Sequence, residues 1–224
     1  MCAIFGSFDT SMFEVLYEAN KQRGNFASSI VSLSPDDQFI RKKQGDINFD
    51  KYTYEPQTDY YLGHVQAPTS ANRKWNYNTS HPFESLSWLV SHNGVLTNHK
   101  KLRKQYCKFL ENSVDTAIIV NLLEHFTEKV RVEEKRISPQ KIIKKTLELL
   151  TGTFALSIVN CDTNEVFIAR SGSILPYNNK GDYSTMRGYG FKELAEGTIM
   201  KLNNKTKRWN KAEKFKFNSP FSFV

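Results

Sequence analysis

The spacing of apolar and polar residues predicts strands at both ends of the chain and helices between them. A short apolar run over 2–7 ends at Gly6-Ser7 and predicts a buried first strand. Two segments over 28–33 and 38–43 flank a Ser-Pro-Asp-Asp sequence, which is typical of a hairpin turn. Further strands are predicted over 60–66 and 87–92.

Apolar residues at helical spacing, with suitable first and last residues, predict four helices. They run from a cap at Ser11 to about Arg23, from Asn98 to about Phe109, over 116–126, and from Ser138-Pro139 to about Leu150. Asp115 lies at the cap or in the first turn of the third helix, where aspartate is a preferred residue. The charged stretch 128–136 predicts a solvated connection to the fourth helix.

Strand-like segments return after the fourth helix and continue towards the end of the sequence. They span 153–160, 165–170, 174–178, 184–188, 198–202 and 208–217. Strands first, helices in the middle and strands last indicate a layered α+β domain. Since no internal repeat, low-complexity tract or clear linker interrupts this order, we expect one domain over 1–224.

Composition is typical of a globular protein that functions in a reducing environment. The 224 residues are 39% hydrophobic and 24% charged, which is enough for one well-packed core. No apolar run approaches membrane-spanning length, and no basic segment precedes an apolar stretch as in a secretory signal. Three widely spaced cysteines form neither a disulfide framework nor a zinc pattern, and we interpret Cys107 and Cys161 as packing residues. We therefore expect a cytoplasmic protein without a membrane partner.

Positive charge is concentrated in two segments. The net charge is +8, and seven basic residues occur from Lys201 to Lys216 against Glu213 alone. A second basic stretch covers 100–108. These segments are either solvated surface or a binding face for an acidic partner protein, a phosphorylated substrate or nucleic acid. No helix-turn-helix, zinc-finger or RNA-recognition pattern supports sequence-specific reading of DNA or RNA.

The second residue is the first candidate for chemistry. Removal of Met1 leaves Cys2 with both a thiol and a free α-amine, whose reference pKa values are about 8.5 and about 8. The amine can take the thiol proton directly or through one water, which yields a thiolate nucleophile without a histidine. The alternative is that Cys2 is an ordinary buried residue of the first strand.

Three later segments form a set with Cys2. They are 63–70 (GHVQAPTS), 91–99 (SHNGVLTNH) and Asp115. This set resembles the class II glutamine amidotransferases, whose glutaminase domains use an N-terminal nucleophile. The resemblance extends through 78–82, 152–156, 167–170 and 175–176, and so covers nearly the whole chain. It implies a four-layer αββα sandwich of two antiparallel sheets flanked by helices.

The resemblance also implies a role for each member of the set. Breaking an amide requires a nucleophile, a proton shuttle and a place for the tetrahedral oxyanion. Cys2 and its amine are implied for the first two, and the Asn93 side chain with the Gly94 N–H for the third. Asp115 is implied to hold the α-ammonium of L-glutamine. Read without the family, Asn93-Gly94 is a turn and Asp115 is a helix cap.

One position departs from the family pattern. The arginine that takes the substrate α-carboxylate in the family is replaced here by Gln66, whereas Thr69 matches. Loss of an arginine fork gives up about 1.5–3 kcal/mol, or roughly tenfold to a hundredfold in binding. Arg73 and Lys74 are the nearby candidates to compensate, and Arg23 is a remoter one. Without compensation, the protein is a weak-binding enzyme or acts on a different amide.

The resemblance implies no metal and no cofactor. Four histidines have spacings that match no standard zinc pattern. They are His64, His81, His92 and His99. We interpret them as residues around the site or on the surface.

Three hypotheses of function follow. The first is a glutaminase-type amidotransferase subunit that supplies ammonia to a separate synthetase or transferase chain, because 224 residues leave no room for an acceptor domain. The second is an N-terminal-nucleophile amidase that acts on another γ-glutamyl or acyl amide, which Gln66 keeps open. The third is an inactive homologue that acts as a basic binding module.

Overall fold

A computed structural model describes residues 2–35, 37–47, 58–68, 74–107, 114–134 and 136–217. In these ranges strands occupy both ends of the chain and helices occupy its middle. The strands are β1 (Ala3–Ser7), β2 (Ala27–Leu33), β3 (Gln38–Gln44), β4 (Tyr60–Gln66), β5 (Phe83–Glu84), β6 (Trp88–Leu96), β7 (Gly152–Asn160), β8 (Glu165–Ser171), β9 (Pro176–Tyr177), β10 (Tyr183–Ser184), β11 (Lys192–Glu193), β12 (Thr198–Asn203) and β13 (Arg208–Lys214). The helices are α1 (Thr10–Lys21), α2 (His99–Tyr106), α3 (Asp115–Val132) and α4 (Pro139–Leu147).

The strands form two antiparallel sheets. The first has the order β11-β9-β10-β1-β4-β2-β3, and the second has the order β13-β12-β8-β7-β6-β5. The first strand of the chain is therefore interior, with β10 on one side and β4 on the other. Every residue of β1 is buried, as expected for a strand covered on both faces.

Apolar side chains fill three layers of core. One cluster lies between the two sheets and includes Ile4, Leu62, Leu89 and Ile168. A second joins α1 to the outer face of the first sheet. The third joins α3 and α4 to the outer face of the second sheet. This helix–sheet–sheet–helix order confirms the predicted four-layer αββα sandwich.

The third helix is longer than predicted. It continues through most of the stretch 128–136 that was expected to be a connection, and ends at Val132. Lys and Glu are good helix formers, and Arg131 bonds Asp162 at 2.6 Å and the Ser87 hydroxyl at 3.0 Å. A run of charge therefore marks a solvated helix end here. Within the described residues no helix is both long and apolar enough to cross a lipid bilayer.

Several smaller predictions also needed correction. The first helix is capped by Asp9, whose carboxylate accepts from the Met12 N–H at 2.8 Å, and not by Ser11. The strand predicted over 174–178 shortens to the two residues of β9, and the strand predicted over 184–188 overlaps the two-residue β10 at Ser184 alone. The short strands β5 and β11 were not predicted. Short pairings of this kind carry too few residues to show an alternating pattern. The predicted end of the second helix near Phe109 lies outside the described residues.

Leu123 tests the packing of α3 on the second sheet. Its side chain is fully buried in the cluster that joins them, so Leu123→Ala should lower the free energy of unfolding by about 2–5 kcal/mol. Leu86→Ala is the control, since Leu86 is 78% exposed and its change should stay within about 0.5 kcal/mol. Urea unfolding of both variants measures the difference. Equal effects would contradict this packing.

Candidate active site

The His92-Asn93-Gly94 sequence lies inside a strand and is not a turn. The prediction ended this strand at His92, but β6 stays paired with β7 through Leu96, with Asn93 opposite Ala155 and Gly94 opposite Phe154. Gly94 has φ +154°, and a Cβ built on it would lie 2.0 Å from the Thr153 carbonyl oxygen. Only glycine fits this close approach. The pairing of β6 with β7 therefore continues through Asn93 and Gly94, which do not form a turn.

Cys2 lies immediately before β1. The register of β1 on β4 pairs Ala3 with Val65, and continuing it by one residue sets Cys2 opposite Gln66. His64, which pairs with Ile4, reaches the carbonyl oxygen of His92 with its Nε2 at 3.3 Å. The beginning of β1 and the segment His92–Gly94 therefore occupy the same end of the two stacked sheets.

Asp115 is attached to that same end. It is the first residue of α3, after Val114 at the cap, so of the two predicted positions it takes the first turn. Its Oδ2 accepts from the Leu96 N–H at 3.0 Å, and its Oδ1 accepts from the Thr116 N–H at 2.9 Å. The side chain is 21% exposed, so its remaining lone pairs can receive a ligand cation.

Arg23 is closer to the site than the sequence suggested. Its guanidinium donates to the Thr185 carbonyl, and the Thr185 N–H donates to the Ile4 carbonyl at 2.9 Å. Burial lowers the pKa of Arg23, and the charge of the Cys2 thiolate acts in the opposite direction. The cation therefore lies within electrostatic reach of the sulfur. The available sequence signal was an arginine directly after a helix, but Arg23 is distant in sequence from the other residues predicted to bind the substrate.

Gly24 explains why Arg23 is held there. A Cβ on Gly24 would lie 2.4 Å from the carbonyl carbon of Gln66 and 2.5 Å from the Ala67 nitrogen. The chain after α1 thus packs backbone to backbone against the end of β4. Gln66 is itself only 2% exposed. Thr69 and Arg73, the other predicted substrate contacts, lie outside the described residues, so their roles stay predictions.

Three of the four histidines are buried beside this end of the sheets. His64 and His81 stack with ring centroids 4.0 Å apart. His81 Nε2 and His92 Nδ1 each lie 3.0 Å from the Thr116 hydroxyl oxygen. His99 is part-buried and bonds the Leu96 carbonyl through Nδ1 at 2.7 Å. In the part of the chain that the structure describes, no three His, Cys, Asp or Glu side chains are grouped to hold a metal ion.

The other cysteines are poorly suited to chemistry. Burial raises the pKa of Cys107, and burial followed by the Asp162 charge raises the pKa of Cys161 to about 12. A thiol with a raised pKa stays protonated at neutral pH and is a weak nucleophile. This agrees with the packing role predicted for both residues.

The basic segment 201–216 is spread over the β12–β13 hairpin. Lys201 forms an ion pair with Glu165, and Glu213 pairs with Lys144 at 3.5 Å. An open cleft of about 700 Å³ is lined by Phe8, Lys207 and Arg208, among other residues. Because Phe8 follows the far end of β1, this cleft lies away from Cys2 and does not belong to the candidate site.

Two antiparallel sheets between helices, with a cysteine before an interior first strand, are the fold of the N-terminal-nucleophile amidotransferases. The solved structure of the allosteric regulatory enzyme of purine biosynthesis aligns with a TM-score of 0.74 at 18% identity, over 98% of this chain and 50% of that protein. Glutamine phosphoribosylpyrophosphate amidotransferase from B. subtilis aligns with a TM-score of 0.71 at 18% identity, over 96% of this chain and 49% of that protein. At this identity the likeness establishes the fold alone.

Sequence relatives identify the family. The family model of the glutamine amidotransferase domain matches residues 78–175. Glutamine–fructose-6-phosphate aminotransferase (isomerizing) of Listeria innocua is 30% identical over 188 residues, covering 78% of this chain and 30% of that protein. The Staphylococcus epidermidis protein of the same name is 25% identical over 212 residues, covering 90% of this chain and 33% of that protein. The chain belongs to the class II glutamine amidotransferases, and it spans about a third of the curated relatives it matches.

Buried His92 gives the protein a predicted dependence of stability on pH. Burial lowers the pKa of His92, an effect that the Asp115 charge and the Thr153 carbonyl only partly offset. The unfolded chain therefore binds a proton at His92 before the folded protein does. The free energy of unfolding should fall as pH drops below about 6.5, by at most about 1.4 kcal/mol per pH unit from this group.

The His92→Asn variant isolates this contribution. Urea unfolding at several pH values between about 7 and 5 should give a shallower slope for the variant than for the parent protein. His64, His81 and Asp115 remain in both proteins and supply the common background. Identical slopes in the two proteins would show that the pKa of His92 is the same in the folded and the unfolded state.

Proposed function

We propose that this protein hydrolyses the side-chain amide of L-glutamine through Cys2, as the N-terminal residue after removal of Met1. One observation carries the proposal: the beginning of β1 and the segment His92–Gly94 meet at one end of the stacked sheets, with Asp115 bound to Leu96. This arrangement supports a site in which Cys2 is the nucleophile, Asn93 and Gly94 bind the oxyanion and Asp115 anchors a cationic group.

The reaction begins with transfer of the thiol proton to the α-amine of Cys2. The thiolate attacks Cδ of glutamine, and the amide oxygen becomes an oxyanion. The positive charge of Arg23, within electrostatic reach of Cys2, favours the thiolate. The α-ammonium then gives its proton to the leaving nitrogen, and ammonia departs. Water finally attacks the γ-glutamyl thioester and releases glutamate and the thiol.

Asn93 and Gly94 are the proposed donors to the oxyanion. Asn93 is 7% exposed, and within the described residues its side-chain amide makes no hydrogen bond, which leaves its N–H groups available. Both residues belong to a paired strand, so their donors are held in place before the substrate arrives. A donor of this kind lowers the barrier by roughly 3–4 kcal/mol.

Substrate recognition is proposed to rest on both ends of the α-amino acid group. Asp115 receives the α-ammonium, because its carboxylate is already oriented by two backbone N–H groups. Thr69 and Arg73 remain the proposed contacts for the α-carboxylate. Gln66 is buried at the end of β4 and brings no charge to the site.

The ammonia is proposed to pass to a separate synthetase or transferase chain, with residues 1–224 acting as a single amidotransferase domain. In relatives about three times as long as this chain, the matched part is one segment, which supports an amidotransferase domain that works with a further acceptor domain. We place the reaction in the cytoplasm, because the mechanism needs Cys2 as a reduced thiol.

A second candidate function is hydrolysis of another γ-glutamyl or acyl amide. Gln66 in place of an arginine favours it, since a neutral side chain selects less strongly for an α-carboxylate. Release of ammonia or amine from glutamine, γ-glutamyl anilide and a simple acyl amide distinguishes the two. Faster turnover of an amide without the α-amino acid group would favour this second function.

Replacing the nucleophile tests the proposed reaction. Cys2→Ala should abolish glutamate release and leave the thermal unfolding midpoint nearly unchanged, because only a thiol is lost from a half-buried position. Cys161→Ala is the matched control and should keep the activity of the parent protein. Glutamate release that persists in Cys2→Ala at the parent rate would rule out the mechanism.

Substitutions at the oxyanion site and at the ammonium site should affect different kinetic constants. Asn93→Ala should lower kcat by about 10²–10³ with a small change in KM, since its donor acts on charge that develops in the transition state. Asp115→Asn should chiefly raise KM, since the lost charge binds glutamine before and during the reaction. Steady-state rates over a range of glutamine concentrations measure both. The opposite pattern would contradict the assigned roles.

A further inference from the structure

One hydroxyl group joins two buried imidazoles behind the proposed oxyanion site. The Thr116 oxygen lies 3.0 Å from His92 Nδ1 and 3.0 Å from His81 Nε2. Thr116 is 1% exposed, His92 is 2% exposed and His81 is 5% exposed, so water does not share these bonds freely. A buried polar group without a partner is unfavourable, so the protons of this cluster must be arranged to satisfy each contact.

The protons can be assigned from the acceptors around His92. Its Nε2 faces the Thr153 carbonyl oxygen at 3.5 Å, and a carbonyl can only accept, so Nε2 carries the hydrogen. Burial favours the neutral imidazole of His92 and lowers its pKa, so Nδ1 is left as an acceptor. The Thr116 O–H faces two acceptors, His92 Nδ1 at 3.0 Å and Asp115 Oδ1 at 3.5 Å, and we assign its proton to the shorter contact with His92 Nδ1.

The direction of the remaining hydrogen bond, between Thr116 and His81, follows because a hydroxyl has one proton. Since Thr116 gives its proton to His92, it can only accept from His81, and His81 Nε2 must carry a hydrogen. The chain of donors then has one direction, from His81 to Thr116 to His92 to the Thr153 carbonyl. His64 adds a link of the same kind, because its Nε2 donates to the His92 carbonyl oxygen at 3.3 Å.

This chain ends where the proposed oxyanion site begins. His92 and Gly94 are two residues apart on β6, so their side-chain positions share one face of the strand. A Cβ built on Gly94 would lie 2.8 Å from His92 Nε2, which shows that the imidazole lies directly beneath this residue. The orientation of that ring therefore bears on the position of the Gly94 N–H, whereas the Asn93 side chain lies on the opposite face of the strand.

We propose that Thr116 is a positioning residue for the amide hydrolysis: its hydroxyl, together with the Thr153 carbonyl, fixes the ring orientation and the tautomer of His92, and through His92 the Gly94 N–H of the oxyanion site. The proposal rests on the proposed function, since it concerns the same site. Thr116 does not contact the substrate in this account. Its neighbour Asp115 accepts from the backbone N–H groups of Leu96 at 3.0 Å and Thr116 at 2.9 Å, and the Thr116 hydroxyl adds only a longer contact of 3.5 Å.

The test compares Thr116→Val, which removes the hydroxyl at constant shape, with Thr116→Ser, which keeps it. Thr116→Val should lower kcat for glutamine roughly tenfold to a hundredfold, since small displacements of catalytic groups have effects of this size. KM should change less than about threefold, because Asp115 keeps both of its backbone bonds and loses only the 3.5 Å contact, and Thr116→Ser should restore kcat. Thr146→Val is the matched control at another buried helical threonine, and should keep the parent kcat.

Imidazole ¹⁵N chemical shifts supply a readout that a purely structural role would not move. The parent protein and Thr116→Ser should show His92 with its hydrogen on Nε2, and Thr116→Val should lose that single tautomer. A parent protein with the hydrogen on Nδ1 of His92 would overturn the proposal without any variant. So would Thr116→Val with the parent kcat. A parent protein that releases no glutamate would instead count against the proposed function, and the tautomer measurement would still decide the hydrogen-bond chain.

Discussion

The contact between Gly94 and the Thr153 carbonyl is the constraint on which the candidate site depends. With any side chain at position 94, a Cβ 2.0 Å from that oxygen would force β6 away from β7. With glycine, the ladder runs unbroken to Leu96, and Asn93 and Gly94 become parts of a paired strand. Groups held on a strand are placed more firmly than groups on a loop, and stabilisation of an oxyanion requires donors that do not reorganise. Backbone packing thus decides whether this end of the sheet can be catalytic.

The two sheets are also held in register by polar links, which apolar packing alone would specify less well. His64 of the first sheet bonds the backbone of β6 in the second, beside the candidate site. Lys42 on the edge strand β3 pairs with Glu84 on the edge strand β5 at 2.6 Å. Burial lowers the pKa of Lys42, and the pairing with Glu84 offsets part of that effect. Such polar contacts are directional, and a sheet that slipped by one residue would leave them unsatisfied.

Much of the architecture could be predicted from the sequence because its signals are local. The apolar first strand, the hairpin of β2 and β3 and the helix that begins at Asp115 follow from short patterns. The end of α3 could not be predicted, since its charged residues are stabilised by Ser87 and Asp162, which are distant in sequence. The two-residue strands near Tyr177 and Ser184 depend wholly on pairing partners and carry no pattern of their own.

For the candidate site, residue types identified the members but not their arrangement. Cys2, Asn93 and Asp115 could be chosen because their chemistry matched a known constellation. The position of Arg23 near Cys2 could not be predicted, because only the fold brings the residue after α1 beside the start of β1. Thr116 had no signal at all as a single buried threonine. Its importance became visible only when its two imidazole partners were located.

The most direct measurement is a crystal structure of the mature protein after reaction with a diazo-ketone analogue of glutamine. We predict loss of Met1 and one covalent adduct on the Cys2 sulfur. We also expect the adduct oxygen to lie about 2.7–3.1 Å from the Asn93 side-chain nitrogen and the Gly94 nitrogen. An unmodified Cys2, or an adduct whose oxygen faces away from β6, would contradict the claim that β1 and β6 build one active site.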